Sequence, residues 1–134
     1  MDLKVFKSLI DLFFYQAGKQ NPQNEFLEWL NPRNKKKLTW GETSSSIYKL
    51  AKILKQNIAN GDRCLLVSEN RPEWLISDIA IMLANGITVP AYTTYTEKDY
   101  KYLIEDCRPS LIIVSNDEMH NKLKNTIKGK DFVK

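Results

Sequence analysis

Apolar residues at Leu3, Phe6, Leu9, Ile10 and Phe13 recur at helical spacing, while Asp2, Lys4, Lys7, Ser8 and Asp11 fill the other side. This predicts an amphipathic first helix that ends near Gly18. Its aromatic stripe fits a core-facing surface better than a membrane-lying one, because the polar side is not especially rich in Lys or Arg. After the Asn21–Pro22 breaker, the runs Glu25 to Leu30 and Lys37 to Trp40 flank a polar turn from Asn31 to Asn34. That pattern reads as a β-hairpin with the basic cluster Arg33, Lys35, Lys36 and Lys37 at its tip.

Thr39 followed by Glu42 has the form of a capping box, in which hydroxyl and carboxylate satisfy the free amides of a helix start. The helix it opens carries Ile47, Leu50, Ala51, Leu54 and Ile58 on one face. From there the chain alternates. Arg63 to Ser68 is a continuous apolar run of the kind found in a strand covered on both faces, Ile87 to Pro90 a second short strand, and Leu111 to Val114 a third, buried strand. Between them lie a nearly all-apolar helix from Pro72 through Trp74, Ile76, Ile79, Ala80 and Leu83, and a helix from about Glu97 to Cys107 with Tyr100, Leu103 and Ile104 inward. A last helix starts after Asn116 or Asp117. Strand alternating with helix implies an α/β fold, a parallel-sheet layer with right-handed crossover helices, preceded by the leading helix and hairpin. The expected organisation is one partial domain over 1–134, with the helix and hairpin in 1–37 and the βα units in 38–134.

Composition changes this picture little. The chain has 134 residues, 43% of them hydrophobic and 27% charged, with a net charge of +4. The cations are scattered apart from the hairpin cluster and a Lys-rich end from Lys122 to Lys134, without the interleaved aromatics of a nucleic-acid groove, so no nucleic-acid partner is expected. Cys64 and Cys107 sit in apolar stretches, and a metal site would need histidines where the chain has one, His120. Both cysteines read as buried free thiols of a reducing compartment. Lys7, Ser8 and Asp11 interrupt the first apolar run, and no run reaches transmembrane length, so a cytoplasmic location is expected.

No catalytic constellation emerges. The strand-to-helix turns, Ser68 to Pro72, Ala91 to Thr96 and Ser115 to Asp117, contain no glycine to bring amides onto a phosphate, and Glu69 repels one. His120 has no partner carboxylate at a telling position and reads as a surface residue. Glu69, Glu73 and Asp78 are spaced for helix-start and surface duty, and Ser44-Ser45-Ser46 falls inside the second helix. No catalytic, cofactor-binding or metal residue is therefore assigned.

From Leu38 to Val114, however, the order of features resembles the opening subdomain of the AMP-forming acyl-CoA synthetases, in the adenylate-forming superfamily that also holds luciferases and peptide-synthetase adenylation domains. The resemblance lies in Leu38-Thr39-Trp40-Gly41-Glu42, in Leu50-Ala51 with Leu54, and in Gly61-Asp62-Arg63 before a strand. It continues through Ser68-Glu69-Asn70-Arg71-Pro72-Glu73-Trp74, the helix with Asp78 and Ala80, and Gly86-Ile87-Thr88-Val89-Pro90-Ala91-Tyr92. The run Glu69 to Trp74 and the Val89-Pro90-Ala91-Tyr92 segment with its trailing threonine favour the long-chain fatty acyl branch. The resemblance implies that a complete enzyme activates a fatty acid with Mg-ATP to an acyl-adenylate and passes the acyl group to coenzyme A. The family's phosphate loop, magnesium-binding Glu, ribose-binding Asp and catalytic Lys lie beyond the matched region and have no counterpart here, so the chain alone is expected to be inactive. The matched residues are given structural work instead: a positive φ at Gly61, amide capping by Asp62, a carboxylate partner for Arg63, a helix start at Pro72 and Glu73, a core anchor in Trp74, a helix stop at Gly86 and a strand end at Pro90. The expected partners are the remainder of the synthetase and its substrates, with peripheral membrane contact and a homodimer kept open. A free-standing α/β binding or assembly module is the competing reading.

Overall fold

The computed structural model describes residues 6–31, 33 and 35–133. The elements follow the order α1 (Leu9–Lys19), β1 (Glu25–Trp29), β2 (Lys36–Thr39), α2 (Trp40–Leu54), β3 (Arg63–Val67), α3 (Pro72–Leu83), β4 (Ile87–Ala91), α4 (Glu97–Cys107), β5 (Leu111–Val114) and α5 (Asp117–Ile127). β1 and β2 pair antiparallel in a hairpin of their own, and β4-β3-β5 form a parallel sheet. The α/β character and parallel sheet expected from the alternation are both present.

β3 is the axis of the molecule. Cys64, Leu65, Leu66 and Val67 are all buried, as a central strand covered on both faces requires. Side chains alternate across a strand, and the two cores follow that alternation. Cys64 joins Ile47, Ala51, Leu54, Ile76, Ile79 and Ala80 of α2 and α3, with Ile10, Phe13 and Phe14 of α1 packed against them. Leu65 and Val67 join Tyr100, Ile104, Met119 and Leu123 of α4 and α5. The result is three layers, with α1, α2 and α3 on one face and α4 and α5 on the other. β4 and β5 are the sheet edges and are only half-buried, which corrects the expectation that β5 is buried.

The first helix begins later than its apolar period suggests. The Ser8 hydroxyl accepts the Asp11 N–H at 3.1 Å, and the Asp11 carboxylate accepts the Lys7 N–H at 3.2 Å. This reciprocal cap fixes the start at Leu9. Leu3 lies outside the described residues, and Leu9 is 66% exposed, so the inward face is Ile10, Phe13 and Phe14. The capping box at α2 is complete: Thr39 Oγ1 accepts the Glu42 N–H at 3.1 Å and Glu42 accepts the Thr39 N–H at 2.8 Å. Trp40, read as a strand residue, is instead the first residue of that helix, and its ring stacks on Phe26 with centroids 3.6 Å apart. Phe13 and the Phe14–Tyr48 stack extend this aromatic cluster, which binds α1, the hairpin and α2 together.

α3 ends in a Schellman motif. The Gly86 N–H reaches Ile81 O at 2.9 Å and the Asn85 N–H reaches Met82 O at 3.0 Å. The residue with positive φ in this motif is Asn85, at 64°, while Gly86 closes the helix end as expected. Gly86 is needed for a different reason: a Cβ there would come within 2.8 Å of Ile58 Cδ1 and 3.0 Å of Ile81 Cγ2. Gly61 does adopt positive φ, and Asp62 caps the Ala59 N–H at 2.9 Å. Among the described residues no ion pair of Arg63 is found; its Nε donates to the Cys107 carbonyl, tying the start of β3 to the end of α4. Pro90 does not end β4 but stands inside it, paired in register with Leu66. An edge strand tolerates the missing N–H.

Candidate functional site

In an open α/β sheet, ligands bind beyond the carboxyl ends of the strands, where neighbouring strands send their chains to opposite faces. Here β3 leads into α3 on one face, while its neighbour β5 leads into α5 on the other. A crevice of about 190 Å³ opens at that point. Leu66, Ile113 and Val114 supply its apolar lining, Ser68, Ser77 and Ser115 its hydroxyls, and Arg71 and Glu73 its charges. A second cleft, of about 300 Å³, lies beyond β3 and β4 and is lined by Ser68, Asn70, Trp74, Pro90, Ala91 and Tyr92. Trp74, expected as a buried anchor, is only half-buried and lines this cleft.

Arg71 is the N-cap residue of α3 and makes no side-chain cap. Its guanidinium turns instead to Glu73, with Nε 2.9 Å from Oε2, and covers the Trp29 ring at 4.6 Å. The other Glu73 oxygen accepts Lys36 Nζ at 2.7 Å. Burial opposes the charge on Glu73, but the hydrogen bonds from Arg71 and Lys36 outweigh it and hold the carboxyl near 2, against an ordinary 4.5. Two hairpin residues, Trp29 and Lys36, are thus clamped onto the first turn of α3. The basic cluster is therefore not a free tip. Lys36 and Lys37 lie within β2, where Lys37 pairs with Glu25 at 2.8 Å, while Arg33 and Lys35 are exposed.

The turn after β4 is held by its own aromatic residues. The Tyr100 hydroxyl donates to Tyr92 O at 2.6 Å, Tyr95 meets both Tyr92 and Tyr100 edge-on, and Lys122 Nζ donates to Thr93 O at 3.1 Å. Beside the other turn, Glu69 accepts Asn116 Nδ2 at 3.3 Å. His120 is exposed on α5, Asp78 is half-buried in α3, and Ser44 to Ser46 lie in α2, where Ser46 Oγ donates to Glu42 O at 2.8 Å. Cys64 is buried, and that burial, with the Asp62 carboxylate adding, pushes its thiol up to about 11. Cys107 is half-buried rather than buried, and burial raises its thiol too. These are poor nucleophiles, since the thiolate is the reactive form.

Among the described residues no group of three or more His, Cys, Asp or Glu could hold a metal ion. Magnesium does not fit the donors of the described residues. The site can position side chains and offer hydroxyl and aromatic surface at the sheet's carboxyl edge. Neither the Arg71–Glu73–Lys36–Trp29 clamp nor the Tyr100 latch was foreseen from the sequence. Each joins distant segments and leaves no periodic trace.

Layer order and this carboxyl-edge geometry define the class, an open α/β domain whose neighbouring strands lead to opposite faces, and the same fold recurs in solved structures. The solved anthranilate CoA ligase AuaEII, in complex with anthranoyl-AMP, superposes with a TM-score of 0.80 at 21% identity, over 98% of this chain and 25% of that one. The N-terminal subdomain of Klebsiella oxytoca NpsA gives 0.70 at 22% identity, over 81% and 28%. The chain belongs to the AMP-binding enzyme family, whose model matches residues 13–133. Human acyl-coenzyme A synthetase ACSM3, mitochondrial, is 30% identical over 75% of this chain and 18% of its own length. The long-chain-fatty-acid–CoA ligase of Bacillus subtilis is 35% identical over 58% and 14%. The chain thus spans less than a fifth of the length of these relatives.

Proposed function

We infer that this chain supplies the N-terminal scaffold of an AMP-forming long-chain fatty acyl-CoA synthetase. In the assembled enzyme, ATP and a fatty acid give an acyl-adenylate and pyrophosphate, and coenzyme A then takes the acyl group to leave acyl-CoA and AMP. The carrying observation is the family match over residues 13–133. Magnesium and ATP would neutralise and supply the transferred nucleotide, and their ligands come from parts of the enzyme outside this chain. This chain's own residues build the central strand, its two covering layers and the carboxyl edge on which the turns after β3, β4 and β5 are held. The long-chain assignment is supported by the Bacillus subtilis ligase and by 32% identity to the chicken long-chain-fatty-acid–CoA ligase ACSBG2 over 78% of the chain. It also rests on the Glu69–Trp74 and Val89–Tyr92 motifs. A cytoplasmic location is supported by two free thiols, which suit a reducing compartment.

ATP–pyrophosphate exchange tests the reading. The purified chain should show no exchange with any fatty acid, and robust exchange by it alone overturns the scaffold role. Grafted into the Bacillus subtilis ligase in place of the matched segment, it should preserve exchange with long-chain acids. A chimera with native circular dichroism that exchanges only with short or aromatic acids overturns the long-chain assignment.

A further inference from the structure

We propose that the outer face of α2 docks on an anionic lipid membrane. The charges of α2 set it apart from the other helices on the surface. α4 mixes Glu97, Asp99, Glu105 and Asp106 with Lys98 and Lys101, and α5 mixes Asp117 and Glu118 with Lys122 and Lys124. Beyond its capping Glu42, α2 has only cations: Lys49 and Lys52, followed at its C-cap by Lys55, with no carboxylate in the sequence until Asp62. All three are exposed, and none joins an ion pair among the described residues.

Apolar groups stand among these cations. Tyr48 is 55% and Ile53 57% exposed. Tyr48, Lys52 and Gln56 follow one another at i, i+4 and i+8, and Lys49 and Ile53 form the adjacent row, so one side of the helix presents an aromatic, an aliphatic and two ammonium groups. The Phe14–Tyr48 stack brings α1 alongside, with Tyr15 44% exposed and Lys19 Nζ lying 4.0 Å from its ring. A shallow groove of about 470 Å³ adjoins this face, in which Ala51 and Leu83 are apolar and Lys52, Lys55 and Gln56 polar. Cations around apolar lining match a phospholipid, whose headgroup is anionic and whose chains are apolar. A nucleic acid would use the lysines but gain nothing from Ile53. No described helix is long and apolar enough to cross a membrane, so the contact is with the surface.

The proposal is independent of the synthetase reading and is tested with the 134-residue chain. Co-sedimentation is measured on phosphatidylcholine vesicles with and without phosphatidylserine. Each lysine near such a surface contributes about a fivefold gain, about a hundredfold for three. The chain should therefore partition strongly onto the phosphatidylserine vesicles at low salt and be released by high salt. The triple substitution Lys49→Glu, Lys52→Glu and Lys55→Glu should abolish binding, and Ile53→Ser should weaken it several-fold with circular dichroism unchanged. Lys101→Glu with Lys124→Glu and Lys128→Glu, the same charge change on the opposite layer, should leave at least half of the binding. Equal binding to both vesicles, equal loss from both sets of lysine substitutions, or no effect of Ile53→Ser overturns the proposal. So does binding to single-stranded poly(U) without binding to vesicles.

Discussion

Replacing Glu73 with Gln removes the charge that joins the hairpin to α3 while keeping the shape of the side chain. Glu73 accepts Lys36 Nζ at 2.7 Å and Arg71 Nε at 2.9 Å. A carboxyl held near 2 instead of 4.5 corresponds to about 3.4 kcal/mol if each unit is worth about 1.36 kcal/mol. The side chain is 38% exposed, so solvent screening reduces the expected loss to about 1 kcal/mol at neutral pH. The sign follows from the depressed folded-state value. The stabilisation is complete above about pH 4.5 and is lost as the pH falls toward 2, because the unfolded chain takes up its proton first. Urea unfolding followed by tryptophan fluorescence, for wild type and Glu73→Gln at several pH values, measures the gap between them. It should be about 1 kcal/mol at pH 7 and less than half of that near pH 3. A gap that stays constant over this range refutes the clamp as an electrostatic device and leaves only packing.

Thr43 is fully buried and its Oγ1 has no hydrogen-bond partner among the described residues. The isosteric Thr43→Val should stabilise the chain by about 1 kcal/mol in the same urea assay, since it removes an unsatisfied buried hydroxyl. Gly86→Ala places a Cβ 2.8 Å from Ile58 Cδ1 and 3.2 Å from Ile81 O; a cost of about 1 to 3 kcal/mol is expected by thermal unfolding. Tyr100→Phe deletes the 2.6 Å hydrogen bond to Tyr92 O. It should cost about 1 kcal/mol and speed amide exchange in residues 92–96, read by hydrogen–deuterium exchange.

Where local chemistry decides an element, the sequence was legible. The Thr39–Glu42 box sets the start of α2, and α4 runs from Glu97 to Cys107 as its period indicates, with a Thr96 cap that only the structure reveals. The continuous apolar run of β3 correctly announced a strand covered on both faces. The same reasoning overstated the burial of β5, because an apolar run does not say whether a second strand lies beside it. It also carried α1 back through Phe6, since periodicity cannot tell where a Ser-x-x-Asp cap will start the helix. The carboxyl-edge site was the least legible. Trp29, Lys36, Arg71 and Glu73 are ordinary hairpin and helix-start residues until the hairpin is laid against α3.

By itself the sequence determined the alternation of strands and helices, the caps that delimit them and the family motifs, all of which rest on neighbours a few positions apart. The tertiary structure decided the rest. Placing β3 between β4 and β5, with α3 on one face and α4 and α5 on the other, created the crevice at the strand ends, exposed the edges of the sheet and turned the cationic side of α2 outward. Those outcomes depend on contacts between residues far apart in the chain, made where burial of apolar surface overrides what each segment prefers alone.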